Sequence, residues 1–110
     1  VRFVKGTKAT LGFTKFDNTA VVEMDGLDSR GNHAVLNNVI GRLEARGIPY
    51  SIHWGKLNGP LTKERVRSIY GNKIRTWKQS REQLLSEDVR KVFVNPFMEK
   101  LGLDTPLLGF

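Results

Sequence analysis

Val35, Leu36, Val39, Ile40 and Leu43 draw an apolar stripe, and the Gly47-Ile48-Pro49 that follows leaves the chain few ways to continue. Spacings of three and four residues put these side chains on one helical face, with Asn37, Asn38, Arg42 and Glu44 opposite. Asn32 is the expected N-cap, and Gly47 the expected left-handed residue just past the end. Pro49 cannot extend the helix, so the chain restarts extended, and residues 50–54 are predicted to form a strand. A helix joined so tightly to a strand lays its stripe against a sheet. That places His53-Trp54-Gly55-Lys56 at the strand's C-terminal end.

The flanking segments supply the rest of the sheet and its helices. Residues 2–4 alternate in strand fashion, and residues 19–24, with Ala20-Val21-Val22, read as a second strand closed by Asp25-Gly26. Between them residues 6–18 form a long loop or a weak strand around residues 11–13, and residues 28–31 are turn material. Thr62 is placed to cap a helix over 63–70, with Val66, Ile69 and Tyr70 inward. A helix over 74–85 would face Ile74, Trp77, Leu84 and Leu85 inward, and residues 88–94 read as a helical turn or a strand. Asn95-Pro96 is a cap followed by proline at the first helical position. Phe97, Met98 and Leu101 then give an apolar face before Gly102, and the last eight residues are tail. The expected fold class is therefore α+β: one domain over 1–110, with a small antiparallel sheet covered on one side by helices.

Composition removes several function classes. With no cysteine there is no disulfide, thiolate nucleophile or thiolate metal site. His33 and His53 are too few and too far apart for a compact metal motif, so no metal is expected. No apolar run approaches the roughly 20 residues that cross a bilayer, and the start has no signal-peptide pattern, so a cytoplasmic location is expected. The chain begins in mid-strand without methionine, which suggests a processed or partial chain. No Gly-rich phosphate loop occurs, so a self-contained nucleotide-binding domain is not expected. The net charge of +7 points to an anionic partner or an acidic complementary surface.

Three groups of residues carry possible chemistry. His53 is suited to acid/base work or hydrogen bonding and Lys56 to placing a cation near an oxyanion or a reduced cofactor. The plainer alternative, preferred on the pattern alone, is a histidine bonded to backbone beside a solvated lysine. Arg2, between apolar neighbours, either binds an anion in a pocket or lies in solvent on an edge strand, and the latter is preferred without further context. Lys56, Lys63, Arg65, Arg67, Lys73, Arg75, Lys78 and Arg81, with Tyr70 and Trp77 interleaved, form either a nucleic-acid footprint or a solvated helix face with core aromatics. The acidic cluster Asp17, Glu23, Asp25 and Asp28 reads as solvated turn, and Ser51 near His53 lacks the acid partner of a nucleophile.

In this order, the Arg2 strand, the long loop, the acidic strand end, the helix and His53-Trp54-Gly55-Lys56 resemble the C-terminal part of FAD-linked oxidases of the vanillyl-alcohol oxidase superfamily. The likeness is nearest to sugar-lactone and alditol oxidases, then to flavin-type cholesterol oxidases. It extends through a closing pattern of Trp77, Arg81, Leu84, Asp88, Phe93, Asn95, Phe97 and Leu101-Gly102. The His-Trp-Gly-Lys segment and that ending are its specific parts. The family's acidic residue two before the strand arginine would fall ahead of Val1, and its FAD-binding domain has no counterpart in these 110 residues.

The resemblance implies a portion of the substrate-binding cap domain, partnered by the FAD-binding domain and acting on a small alcohol-type substrate. Arg2 and Lys56 would be catalytic, facing the substrate or the N1–C2 carbonyl region of the flavin. His53, Trp54 and Asn95 would contact substrate, and Lys56 and His53 the FAD. Attachment of flavin through His53 is a further implication, although the common attachment lies in the other domain. The alternative function is a small basic binding module for nucleic acid or an acidic protein.

Overall fold

A computed structural model of the chain describes residues 1–107. The chain forms two compact units, Val1–Pro60 and Leu61–Phe110. It is α+β, and its sheet is a two-stranded antiparallel ribbon.

In the first unit β1 (Arg2–Lys5) pairs with β2 (Asn18–Val21), with Phe3 opposite Ala20 and Val4 opposite Thr19. Period-2 alternation gives the ribbon two unlike faces. Thr19 is buried on one face with Val4 and Val21 half-buried beside it, whereas Phe3 on the other face is 85% exposed. The long connection between the strands continues their pairing. Gly6 N–H donates to Asp17 O and Thr7 N–H to Thr14 O, while Thr19 Oγ1 donates to Phe16 O. Gly6 runs so close beneath the Phe16 carbonyl that a Cβ there would strike it.

The apolar stripe becomes α1 (Arg30–Ala45), starting earlier than expected. Ser29, not Asn32, is the N-cap: its Oγ accepts from Asn32 N–H at 3.2 Å, while the Asn32 side chain turns back to donate to Leu27 O. The end follows the sequence signal. Gly47 has φ 63°, and the Gly47→Glu44 and Ile48→Leu43 bonds close a Schellman turn. Only Ile40 of the stripe is fully buried, and Val35 is 58% exposed. No Cα of α1 lies within 8 Å of a Cα of either strand.

Residues 50–54, expected as a strand, join no ladder, and Trp54 already belongs to a turn. Pro49 offers no N–H, and a side chain rather than the backbone ties the segment to its neighbour: Ser51 Oγ donates to Phe13 O. Tyr50 anchors the start of the segment by donating from its hydroxyl to Glu44 Oε1.

The described part of the second unit is helical. α2 (Lys63–Tyr70), α3 (Asn72–Leu84), α4 (Glu87–Val92) and α5 (Pro96–Leu101) each begin as the chain's turn chemistry dictates. Thr62, Ser86 and Asn95 accept from the N–H groups of Arg65, Val89 and Met98, and Gly71 at φ 51° turns α2 into α3. α2 packs against α3 and α5, and α3 against α4, around Leu61, Val66, Ile69, Tyr70, Ile74, Leu101 and Leu103. Two arginines cross-cap α3 and α4. Arg90 donates to Leu85 O at the end of α3, and Arg81 donates to Arg90 O at the end of α4.

Two expectations fail in this unit. The inward row of α3 is Ile74 and Lys78, four residues apart, and Leu84 is 80% exposed instead of facing the core. The lysine fits because its stem lines the core while its ammonium finds oxygen acceptors. Nor are the last described residues a loose tail. Leu103 is 3% exposed, Thr105 accepts from Lys78, and Glu82 Oε1 accepts from Leu107 N–H.

Candidate functional site

The segment from Ser51 to Lys56 is held from behind and open in front. Ser51 and the buried Ile52 fix it to the first unit, and His53 turns out beyond them with its ring edge-on to Phe13, centroids 4.8 Å apart at 62°. Gly55 N–H donates to His53 Nδ1 at 3.0 Å, folding the backbone round the imidazole. An acceptor at Nδ1 fixes the neutral ring as the tautomer with its proton on Nε2. Nε2 has no hydrogen-bond partner among the described residues, and His53 is exposed.

Trp54 is half-buried, and its carbonyl accepts from Asn58 Nδ2 at 2.7 Å, which closes the turn after the motif. Lys56 is exposed and enters no ion pair among the described residues. The turn therefore offers an N–H donor and an ammonium to anything that approaches it. Such a pair suits an oxygen acceptor or a developing negative charge.

Arg2 pairs with Glu23 at 3.1 Å on the ribbon, both side chains largely in solvent. No hydrogen bond or ion pair joins Arg2 to His53 or Lys56. Asn95 belongs to the second unit, where its Oδ1 caps α5.

The basic footprint is thinner than its sequence. Lys78 and Tyr70 are 2% and 5% exposed, and Arg81 is committed to the α4 carbonyls beneath Trp77, 5.9 Å from the ring centroid. Tyr70 is therefore unavailable for stacking on a base, and Lys78 for a phosphate. Burial pushes the Lys78 amine down to about 8, against the opposing pull of Asp104.

Three contacts lie outside what the sequence pattern announces. Phe13 belongs to an irregular loop with no periodicity to aim it, so its place against His53 has no local signal. Lys78 reads as surface charge within the basic run, although its four-residue spacing from Ile74 marks the inward row. His33 donates from Nε2 to Asp28 Oδ1 at 2.6 Å at the start of α1, beside an open depression lined with Ser29, Arg30 and Asn37. No group of metal-ligating side chains occurs among the described residues, and no helix there is long and apolar enough to cross a membrane.

Comparison with protein-family models, with curated proteins and with solved structures finds no match for this chain.

By donor type alone, these residues would serve one edge of a flavin and not the whole cofactor. An exposed ammonium and an outward imidazole N–H are the right groups for an N1–C2 carbonyl edge. The adenine and pyrophosphate of FAD would need binding elements from outside these 110 residues, since the sequence has no Gly-rich phosphate loop.

Proposed function

We propose that this chain is the C-terminal, substrate-domain portion of an FAD-dependent oxidoreductase that oxidises a CH–OH donor of the sugar-lactone, alditol or sterol type. The observation that carries the reading is the His53–Lys56 turn. It leaves His53 and Lys56 both exposed, three residues apart, in a segment that resembles the His-Trp-Gly-Lys of such oxidases. Bound FAD would supply a hydride acceptor at N5. Lys56, with Arg2 released from Glu23, would place positive charge where the reduced ring becomes anionic. His53 would donate from Nε2 to a substrate oxygen, and half-buried Trp54 would give the site an apolar wall. The partner is the FAD-binding domain of the same protein. The alternative, a module for nucleic acid or an acidic protein, draws less support, because a stacking aromatic and one of its lysines are buried.

The test is expression of the complete native reading frame. A yellow, flavin-containing product whose absorbance bleaches anaerobically with a sugar lactone, an alditol or a sterol supports the reading. Lys56→Ala or Arg2→Ala should then slow flavin reduction by at least about tenfold. A colourless product, or wild-type reduction rates in both variants, would overturn it.

A further inference from the structure

We infer that His53 acts as a locked hydrogen-bond donor, its Nε2–H aimed at an oxygen acceptor of the ligand, and that Phe13 and Gly55 are the positioning residues that lock it. The ligand class is one bearing a hydroxyl or carbonyl oxygen. The inference rests on the oxidoreductase reading for the ligand's identity, and on geometry alone for the lock.

Three constraints act on one ring. Phe13 meets the imidazole edge-on at 4.8 Å, which limits its tilt. The loop that carries Phe13 is itself fastened to the His53 segment, because Ser51 Oγ donates to the Phe13 carbonyl. That bond joins the Phe13 backbone to a side chain two residues before His53. On the other side the Gly55 N–H occupies Nδ1 at 3.0 Å. A Cβ on Gly55 would sit 3.2 Å from His53 Cε1 and 3.6 Å from Nδ1, so a larger residue there would press the ring by a few tenths of an ångström. With Nδ1 filled by a donor, the neutral ring carries its proton on Nε2, which has no hydrogen-bond partner among the described residues. A freely rotating histidine would offer either nitrogen and either role. This one, while neutral, offers a donor at a fixed place. Abstraction of a proton by Nδ1 would first require breaking the Gly55 bond, so general-base work falls to another group.

The lock is read by nitrogen-15 NMR on the 110-residue chain at mildly alkaline pH, with His53→Gln used to assign the ring signals. The expected result is a proton on Nε2 together with a through-hydrogen-bond coupling between the Gly55 amide nitrogen and His53 Nδ1. Phe13→Ala should abolish that coupling and mix the tautomers, whereas Phe13→Tyr should restore both. A proton on Nδ1, no coupling in the wild type, or full coupling in Phe13→Ala would overturn the inference. The wild-type spectrum decides even if Phe13→Ala does not fold. Function is read separately in the complete flavoprotein. His53→Gln, whose amide nitrogen reaches near the Nε2 position, should keep a rate of flavin reduction about tenfold above that of His53→Ala. A locked ring in a chain whose full-length protein holds no flavin would refute the oxidoreductase reading and leave the donor site standing. Equal rates in the two variants would overturn the donor role itself.

Discussion

Replacing Lys78 by methionine should change how stability depends on pH, in a direction fixed by the surroundings of the amine. Lys78 Nζ donates to Thr105 O at 2.9 Å and to Thr105 Oγ1 at 2.7 Å, and the residue is 2% exposed. Burial lowers its pKa from 10.5 to about 8; Asp104 and Glu82 pull it up, and Lys63 and Arg67 push it down. Below about pH 8 the folded and unfolded chains both hold the proton, so the contribution is flat. Between about 8 and 10.5 only the unfolded chain keeps it, so stability rises with pH and levels off above that window. At about 1.4 kcal/mol per pKa unit the rise has a ceiling of roughly 3 kcal/mol.

Methionine keeps the buried stem, cannot titrate, and leaves the Thr105 carbonyl short of a donor at a cost of about 1–3 kcal/mol. The two effects offset each other near neutrality. Wild type and variant should therefore be close in stability at about pH 7, and the wild type should lead by about 1–3 kcal/mol at about pH 10. Urea unfolding measures this, followed by Trp77 fluorescence in a Trp54→Phe background so that the signal reports the second unit. Parallel stability curves for the two proteins across the window would refute the reasoning, and so would a wild-type curve that falls as pH rises.

Ile74→Ala, at a residue with no exposed surface, should destabilise the second unit by about 2–5 kcal/mol in the same urea assay. Thr62→Ala removes the acceptor for Arg65 N–H and should cost about 1 kcal/mol, most of it recovered by Thr62→Ser. Gly102→Ala puts a side chain on a residue at φ 67°, with its Cβ 2.7 Å from Lys63 Cε; the lysine can swing away, so the backbone conformation sets the loss at about 1–2 kcal/mol, measured as a lowered urea midpoint.

The helices are legible in the residues because their signals are local. Thr62, Asn95-Pro96, Gly47 and Gly102 each act within one turn of chain, and each does what its residue type prescribes. Ser29 displaces Asn32 as the α1 cap because an asparagine has two uses at such a place, and Asn32 serves Leu27 O instead. Residues 50–54 carry strand-like composition, but a strand exists only where another backbone pairs with it. Nothing in the residues themselves announces that Ser51 reaches Phe13 by its side chain.

The same distinction separates what is legible in the site from what is not. The residue types of the turn, His53 to Lys56, are plain in the sequence, and so is the choice between a working histidine and one bonded to backbone. The structure shows that the two alternatives do not exclude each other. The Gly55 N–H on Nδ1 is the backbone bond of the plainer reading, and it is also what sends the ring's proton to the outward nitrogen. A bond that would count against catalysis at one nitrogen leaves the proton of the neutral ring on the other. Phe13, forty residues earlier in sequence, completes the arrangement, and it is the long-range partner that no spacing rule reaches.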